Sequence, residues 1–275
     1  MEIAPGVYFI SNPTSGWAGS HESNVYVVGD LEVVLIDAGA GQESSLQAKL
    51  DYLHSLGNPR LRSILLTHGH HDHLLGAQRL KALTGAQLLV HPADAGQVTK
   101  MLGAASVDGF LNDGDTLTAG KCSLQVIHTP GHTLGHVCFF MASSRVLFTG
   151  DHVVGMGTTV VGPPDGDMAL YVASLQQFLT SDIDLICPGH GPMVKEPKAK
   201  IRELISHRLE REAQVLAALA RGKNTVNELV EEIYPELAPS LVATARRTVA
   251  GHLIKLEREG RVYRAEGKDA FFLRG

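Results

Sequence analysis

The sequence predicts an α/β protein in which two strand-rich halves pack as two sheets face to face with helices outside, followed by a small C-terminal domain of three helices and a β-ribbon. Three observations carry this. Short β-branched or aromatic runs separated by turn residues recur before and after Gly109. Stretches with apolar residues at helical spacing lie between several of those runs. From about Lys198 the texture changes: residues 1–199 hold 10 Lys and Arg against 18 Asp and Glu, whereas 200–275 hold 14 against 11. A chain of 275 residues accommodates a core of about 200 residues with a smaller appendage, so the expected domains are 1–197 and 198–275.

In chain order, "GVYFI", "SNVYVVG" and "LEVVLIDAG" read as an opening meander. Residues Gln42 to Leu56 read as a helix, with Leu46, Leu50, Leu53 and Leu56 at helical spacing. Then follow "LRSILLTH" (strand), "HLLGAQRLKALTG" (helix), "AQLLVHP" (strand) and "ADAGQVTKML" (helix). Beyond Gly109, "DTLTAG", "CSLQVIHTPG", "HVCFFMA" and "RVLFTGDHV" are strands, Asp167 to Leu179 is a helix, and "DIDLICPGHG" is a last strand. Two strand-rich halves with helices suit two packed sheets.

The tail reads as helices over "AKIRELISHRLEREAQVLAALARG", "TVNELVEEIY" and "LVATARRTVAGHLIKLEREG", then a ribbon turning at Gly267-Lys268. That order is the winged-helix arrangement, a helix-turn-helix relative, with Arg246, Arg247 and Lys255 on its third helix. A balance of only +3, with acids interspersed on every helix, favours a buttress or a dimer contact over nucleic-acid binding.

Composition excludes several classes. The start "MEIAPGVYFI" lacks the basic and apolar regions of a secretory signal, and no run reaches the roughly 18 apolar residues of a membrane span, so a cytoplasmic protein with no membrane partner is expected. Cys122, Cys138 and Cys187 sit apart in apolar surroundings and read as reduced core thiols, not as paired metal ligands. No phosphate loop, nucleophile elbow or dinucleotide fingerprint competes for the chemistry.

What does stand out is "THGHHDHLLGA", Thr67 to Ala77, with four histidines and an aspartate in six residues after the apolar run "LRSILL". His68, His70, Asp72 and His73 follow one strand; His132 follows "VIHTPG", Asp151 follows "RVLFTG" and His190 follows "LICPG". Each is placed to be presented at one sheet edge. Seven ligand-type side chains exceed the roughly four that one zinc ion needs, and suit two metals. His68, His70 and His132 offer three imidazoles to one ion; Asp72, His73 and His190 serve the second, and the Asp151 carboxylate bridges both. Imidazole and carboxylate without thiolate suit zinc first, with iron or manganese as alternatives. Two ions about 3.5 to 4 Å apart hold a shared hydroxide that is nucleophilic near neutral pH, so hydrolysis is the expected reaction, with Asp72 and Asp151 as the carboxylates of the chemistry. Asp37, in "VLIDAG", fits an acceptor that orients a histidine.

The H-x-H-x-D-H pattern at 68–73, "TPGHT" at 129–133, "FTGD" at 148–151 and "PGHG" at 188–191 resemble the metallo-β-lactamase superfamily in order, spacing and flanking residues. The resemblance covers about residues 1 to 195 and implies a four-layer αββα sandwich. The winged-helix tail, "GDHV" and "PPDGDM" at 163–168 are similar to the lactamase-beta-2-like group, whose studied members include single-strand-specific endoribonucleases. Asp151 stands where cysteine-ligand β-lactamases carry a thiolate, which points away from lactamase activity. His70 departs from the flavodiiron pattern. Mononuclear-iron persulfide dioxygenases keep most of these ligands, and glyoxalase-II-like thioesterases share all seven positions but differ in their C-terminal helices.

The implied reading is a dinuclear metal-dependent hydrolase acting on single-stranded RNA, or alternatively on a small-molecule ester, lactone or thioester. A winged-helix regulator that senses metal or ligand is the reading of another class, and a homodimer is the expected assembly if the tail mediates contacts. The acidic body does not attract a polyanion. His71 is expected to point away from the metals, and His136 and His152 to be structural or to assist as proton donors. His21, His54, His91, His128, His207 and His252 join no constellation. The Gly- and Pro-rich loop 155–171 is expected either to cross the mouth of the site or to be a linker.

Overall fold

The computed structural model describes residues 1–10, 23–265, 267 and 269–274, so His21 and Lys268 lie outside the described residues. The chain forms two compact units: Met1–Thr129, Gly135–Gly157 and Ser181–Pro197 make the first; Pro130–Leu134, Thr158–Thr180 and Lys198–Gly275 make the second.

The first unit holds two sheets. Strands β1 (Glu2–Ala4), β2 (Val7–Ile10), β3 (Val25–Gly29), β4 (Glu32–Ile36), β5 (Arg60–Leu65), β6 (Gln87–Val90) and β7 (Gly109–Phe110) lie side by side in chain order. Pairing is antiparallel through β4 and parallel from β4 to β7. Parallel neighbours need crossovers, supplied by α1 (Glu43–Ser55), by α2 (His71–Leu74) with α3 (Ala77–Thr84), and by α4 (Pro92–Leu102). The second sheet runs β12-β11-β10-β9-β8, from β8 (Thr116–Ala119), β9 (Cys122–His128), β10 (Val137–Met141), β11 (Val146–Gly150) and β12 (Leu185–Pro188), with only β11 and β12 parallel.

Strand alternation decides which face meets what. Val25, Val27, Val33 and Leu35 pack with Leu46, Leu53, Leu80 and Val98 of the helices. Their neighbours Tyr26, Val28, Val34 and Ile36 instead meet Val126, Phe139, Val146 and Phe148 of the other sheet in a shared buried layer. Every strand read from the sequence is present; β1 and β7, three and two residues long, are too short to leave a periodic signal. The helix read over "HLLGAQRLKALTG" is broken at Gly76, where a Cβ would sit 2.2 Å from the Ala38 carbonyl oxygen. The three cysteines are buried thiols, and burial pushes Cys138 up to about 12.

The second unit contains α5 (Met168–Gln177), α6 (Pro197–Ala220, its first residue counted with the first unit), α7 (Val226–Ile233), α8 (Val242–Arg258) and the antiparallel ribbon of β13 (Val262–Arg264) with β14 (Phe271–Leu273). Its core joins Val215, Leu219, Leu229, Val249, Leu253 and Val262. Helix α7 starts in a capping box: Thr225 Oγ1 accepts from the Glu228 amide, and the Glu228 carboxylate accepts from the Thr225 amide. Arg246 is exposed, but the other three Lys and Arg residues of α8 are engaged inside this unit. Arg247 pairs with Asp165, Lys255 with Glu212 and Glu259, and Arg258 with Asp167. No helix among the described residues is long and apolar enough to cross a membrane.

Candidate metal centre

The chemistry-bearing side chains of the first unit follow the carboxyl ends of strands, where open α/β sheets place their ligands. Asp37 follows β4, Thr67 to His73 follow β5, Asp151 follows β11 and His190 follows β12. The first two segments belong to one sheet and the last two to the other, so the cluster spans both. Asn24 and Tyr26 hold the β12 end: both donate to the Pro188 carbonyl at 2.9 Å, and Asn24 donates to the Gly191 carbonyl as well.

His73 is fully buried, with Nε2 3.3 Å from His190 Nε2 and 3.3 Å from Asp151 Oδ1. His190 Nε2 lies 3.0 Å from Asp72 Oδ2 and 3.4 Å from Asp151 Oδ1. His68 Nε2 faces His70 Nδ1 at 2.9 Å, and the His68 and His73 rings are 4.2 Å apart between centroids. Two groups within this unit, His68 with His73 and Asp151, and Asp72 with His73 and His190, have ligand atoms within 4.8 Å of one another. Nitrogen and carboxylate donors converging at such distances fit divalent cations. At Gly189 a Cβ would come 2.7 Å from Asp151 Oδ1 and 2.8 Å from His73 Cε1, so any side chain there would press on the cluster.

The charges respond to this crowding. Burial works against the charge on Asp72, but the hydrogen bond from His190 and the neighbouring His73 outweigh it and hold its carboxyl at about 2. Burial likewise opposes a proton on His73 and on His190, but the carboxylates around them prevail and raise both.

Asp37 orients His73, as the sequence suggested. Its Oδ2 accepts from His73 Nδ1 at 2.8 Å, and its Oδ1 accepts from the Thr67 amide at 2.8 Å. Asp37 therefore holds the proton on Nδ1, which leaves Nε2 as the atom that would face a bound metal ion. His132 sits in the short Pro130–Leu134 segment of the second unit. Its Nδ1 is 2.8 Å from the Val160 carbonyl and 3.1 Å from Thr159 Oγ1, which fixes the tautomer with the lone pair on Nε2. The loop 155–171 thus supplies the groups that orient His132. His71 points outward, its side chain 61% exposed. His136 and His152 are fully buried, and His136 Nδ1 is 2.8 Å from Thr129 Oγ1.

Asp94 was not singled out by sequence. From α4 its Oδ2 accepts from the Gly69 amide at 2.9 Å and its Oδ1 from the Gly135 amide at 2.8 Å, which clasps the histidine motif to the loop entering β10. An acidic residue in a helix's first turn is common for dipole reasons alone, so only the long-range contacts reveal it. His91 and His128 also find each other, stacked with centroids 4.1 Å apart.

The chain matches the metallo-beta-lactamase superfamily over residues 18–190 and the beta-lactamase associated winged helix domain over residues 225–269. It is 31% identical over 262 residues to a beta-lactamase-like protein 2 homologue of Drosophila melanogaster, covering 91% of this chain and 87% of that protein. It is 30% identical over 256 residues to an atrochrysone carboxyl ACP thioesterase of Aspergillus fumigatus, covering 86% and 75%. A crystal structure of a beta-lactamase domain protein from Burkholderia ambifaria shares the fold with a TM-score of 0.87 at 22% identity, covering 100% of this chain and 93% of the other. With its two sheets, helices, winged-helix tail and metal-competent His and Asp cluster, this chain belongs to the metallo-beta-lactamase superfamily of hydrolases.

Proposed function

We propose that this protein hydrolyses a small thioester or ester with two divalent metal ions, zinc first and iron or manganese as alternatives. His68, His70 and His132 would hold one ion, Asp72, His73 and His190 the other, and Asp151 both. Bound there, divalent ions supply Lewis acidity toward a carbonyl oxygen and lower the pKa of water toward neutrality. The chain's own residues do the rest. Asp37 and the Val160 carbonyl fix two imidazole tautomers, and Asp94 locks the motif against the neighbouring loop.

The observation that carries the choice of substrate is electrostatic. Residues 1–199 bear 18 acids against 10 bases, and Arg247, Lys255 and Arg258 of α8 are each engaged by internal carboxylates. A polyanion gains little from such a surface. The similarity to an acyl-carrier thioesterase along most of the chain supports the same reading. A second reading, cleavage of single-stranded RNA, rests on the winged-helix tail and the "GDHV" and "PPDGDM" motifs, which are similar to the group whose studied members include single-strand-specific endoribonucleases.

One experiment separates them. Zinc-, manganese- and iron-loaded protein is incubated with acyl thioesters and, in parallel, with end-labelled single-stranded RNA, with Asp151→Ala as the control. Thioester turnover with intact RNA is expected. RNA cleavage by the wild type and not by the control, without thioester turnover, would replace the first reading by the second.

A further inference from the structure

Arg208, near the middle of α6, is 2% exposed, yet no carboxylate among the described residues pairs with it. Its Nη2 donates to the Thr159 carbonyl at 2.6 Å, its guanidinium lies over the Tyr171 ring at 5.2 Å, and its buried Nε has no hydrogen-bond partner. A guanidinium keeps its charge at any physiological pH, and buried charges are ordinarily paired. The carboxylate one turn along the helix, Glu212, is turned instead to Lys255 and Arg261.

Arg208 also lines a cavity of about 200 Å³ within the second unit, together with Thr159, His207, Tyr234, Thr244 and Thr248. The lining contains hydroxyls, an imidazole and a guanidinium but no acid. His207 Nδ1 is buried without a partner. The local field is positive. Burial, then Arg208 and Lys255, push the neighbouring His252 down to about 3, and burial with Arg208 also lowers His207. The cavity adjoins the groups that orient His132, because Thr159 gives its carbonyl to Arg208 and its hydroxyl to His132 Nδ1.

We infer that this cavity is an oxyanion subsite, in which Arg208 receives a carboxylate or phosphoryl group carried by the substrate. The inference rests on the hydrolase reading above for its role in catalysis, but not for the binding itself. A cavity of this size takes a head group and leaves the rest of the molecule outside it. The Arg208 guanidinium lines the cavity with no carboxylate of the described residues against it, so an anion entering there meets a charge that the fold has not neutralised. The Thr158 and Thr244 hydroxyls line the same cavity and supply further donors.

The test has two readouts on full-length, metal-loaded protein. Titration calorimetry with inorganic phosphate and with acetate compares the wild type with Arg208→Met; any binding at the metals is common to both proteins, so the difference reads the cavity. A loss of about tenfold to a hundredfold in affinity is expected for the preferred anion, and the anion that shows the larger difference between the two proteins names the group. Kinetics then compare glutaryl and pentanoyl thioesters of N-acetylcysteamine: if carboxylate is the preferred group, the wild type favours the glutaryl compound through KM, and Arg208→Met loses that preference. Equal anion affinities in the two proteins would overturn the subsite. Absence of thioester turnover alongside a calorimetric difference would overturn the thioester reading and leave the subsite standing. If Arg208→Met does not fold, Thr244→Trp, which fills the cavity from its half-buried wall, carries the same expectation and the same refutation.

Discussion

Replacing Asp37 by Asn tests how the centre is oriented from behind. In the wild type the Asp37 carboxylate accepts from the Thr67 amide at 2.8 Å, from the Thr67 hydroxyl at 2.9 Å and from His73 Nδ1 at 2.8 Å. Asparagine keeps one acceptor for the Thr67 amide but turns an NH₂ group toward Nδ1, so two donors would face each other. The favourable response moves the imidazole proton to Nε2, the atom 3.3 Å from Asp151 and from His190. The lone pair is then withdrawn from the metal position. The backbone is not the cause of any loss, because Asp37 has φ 60°, a left-handed conformation that Asn adopts more readily than most residues. Loss of such a supporting partner costs about 10- to 100-fold in metal affinity, or about 1.4 to 2.8 kcal/mol. Competition titration against a chromophoric chelator, run on metal-stripped wild type and Asp37→Asn with their melting curves, measures it. An unchanged melting curve with affinity within twofold of wild type would refute the orienting role.

Other predictions follow from the same geometry. Freshly purified protein should contain close to two metal ions per chain by mass spectrometric metal analysis; one iron and no zinc would instead favour dioxygenase chemistry. Asp151→Ala should abolish hydrolysis and lower metal content, and a fully active variant would sink the bridging assignment. Asp94→Ala leaves the Gly69 and Gly135 amides without their acceptor and should cost about 2 to 6 kcal/mol in denaturant unfolding, at about 1 to 3 kcal/mol per buried group; a loss below about 0.5 kcal/mol would contradict the clasp. Thr225→Ala removes the cap of α7 and should cost about 1 kcal/mol, visible as faster hydrogen exchange in that helix, with the metal affinity as the control.

Much of this architecture is legible because burial leaves a rhythm. The runs around Val25–Gly29 and Glu32–Ile36 alternate between a helix-facing and a sheet-facing side, and both sides are apolar, so they read as interior strands. The ligand candidates are legible for a different reason. Histidines and aspartates directly after apolar strands have few structural explanations. What escaped the sequence depends on contacts between distant segments. Gly76 interrupts a helical pattern because its amide bonds to the Gly39 carbonyl, from a segment nearly forty residues earlier. Asp94 looks like one more acid in a helix's first turn, and only folding shows that it receives amides from two other segments. Arg208 reads as one more charge on an amphipathic helix, since nothing local says that its partner is missing.

The seven-stranded sheet carries four candidate ligands of the first unit, His68, His70, Asp72 and His73, the five-stranded sheet carries Asp151 and His190, and the interval between the two sets is set by a layer of apolar side chains. Tyr26 stands in that layer, its ring edge-on to Phe148 at 5.3 Å and its hydroxyl on the Pro188 carbonyl two residues before His190. Ligand spacing is therefore a readout of core volume. Trimming Phe148 touches no donor atom, yet it would let Asp151 and His190 drift relative to the four ligands that follow β5. A metal titration on this protein doubles as a gauge of sandwich packing, and residues far from the ions become tuning points for which ion is held and how tightly.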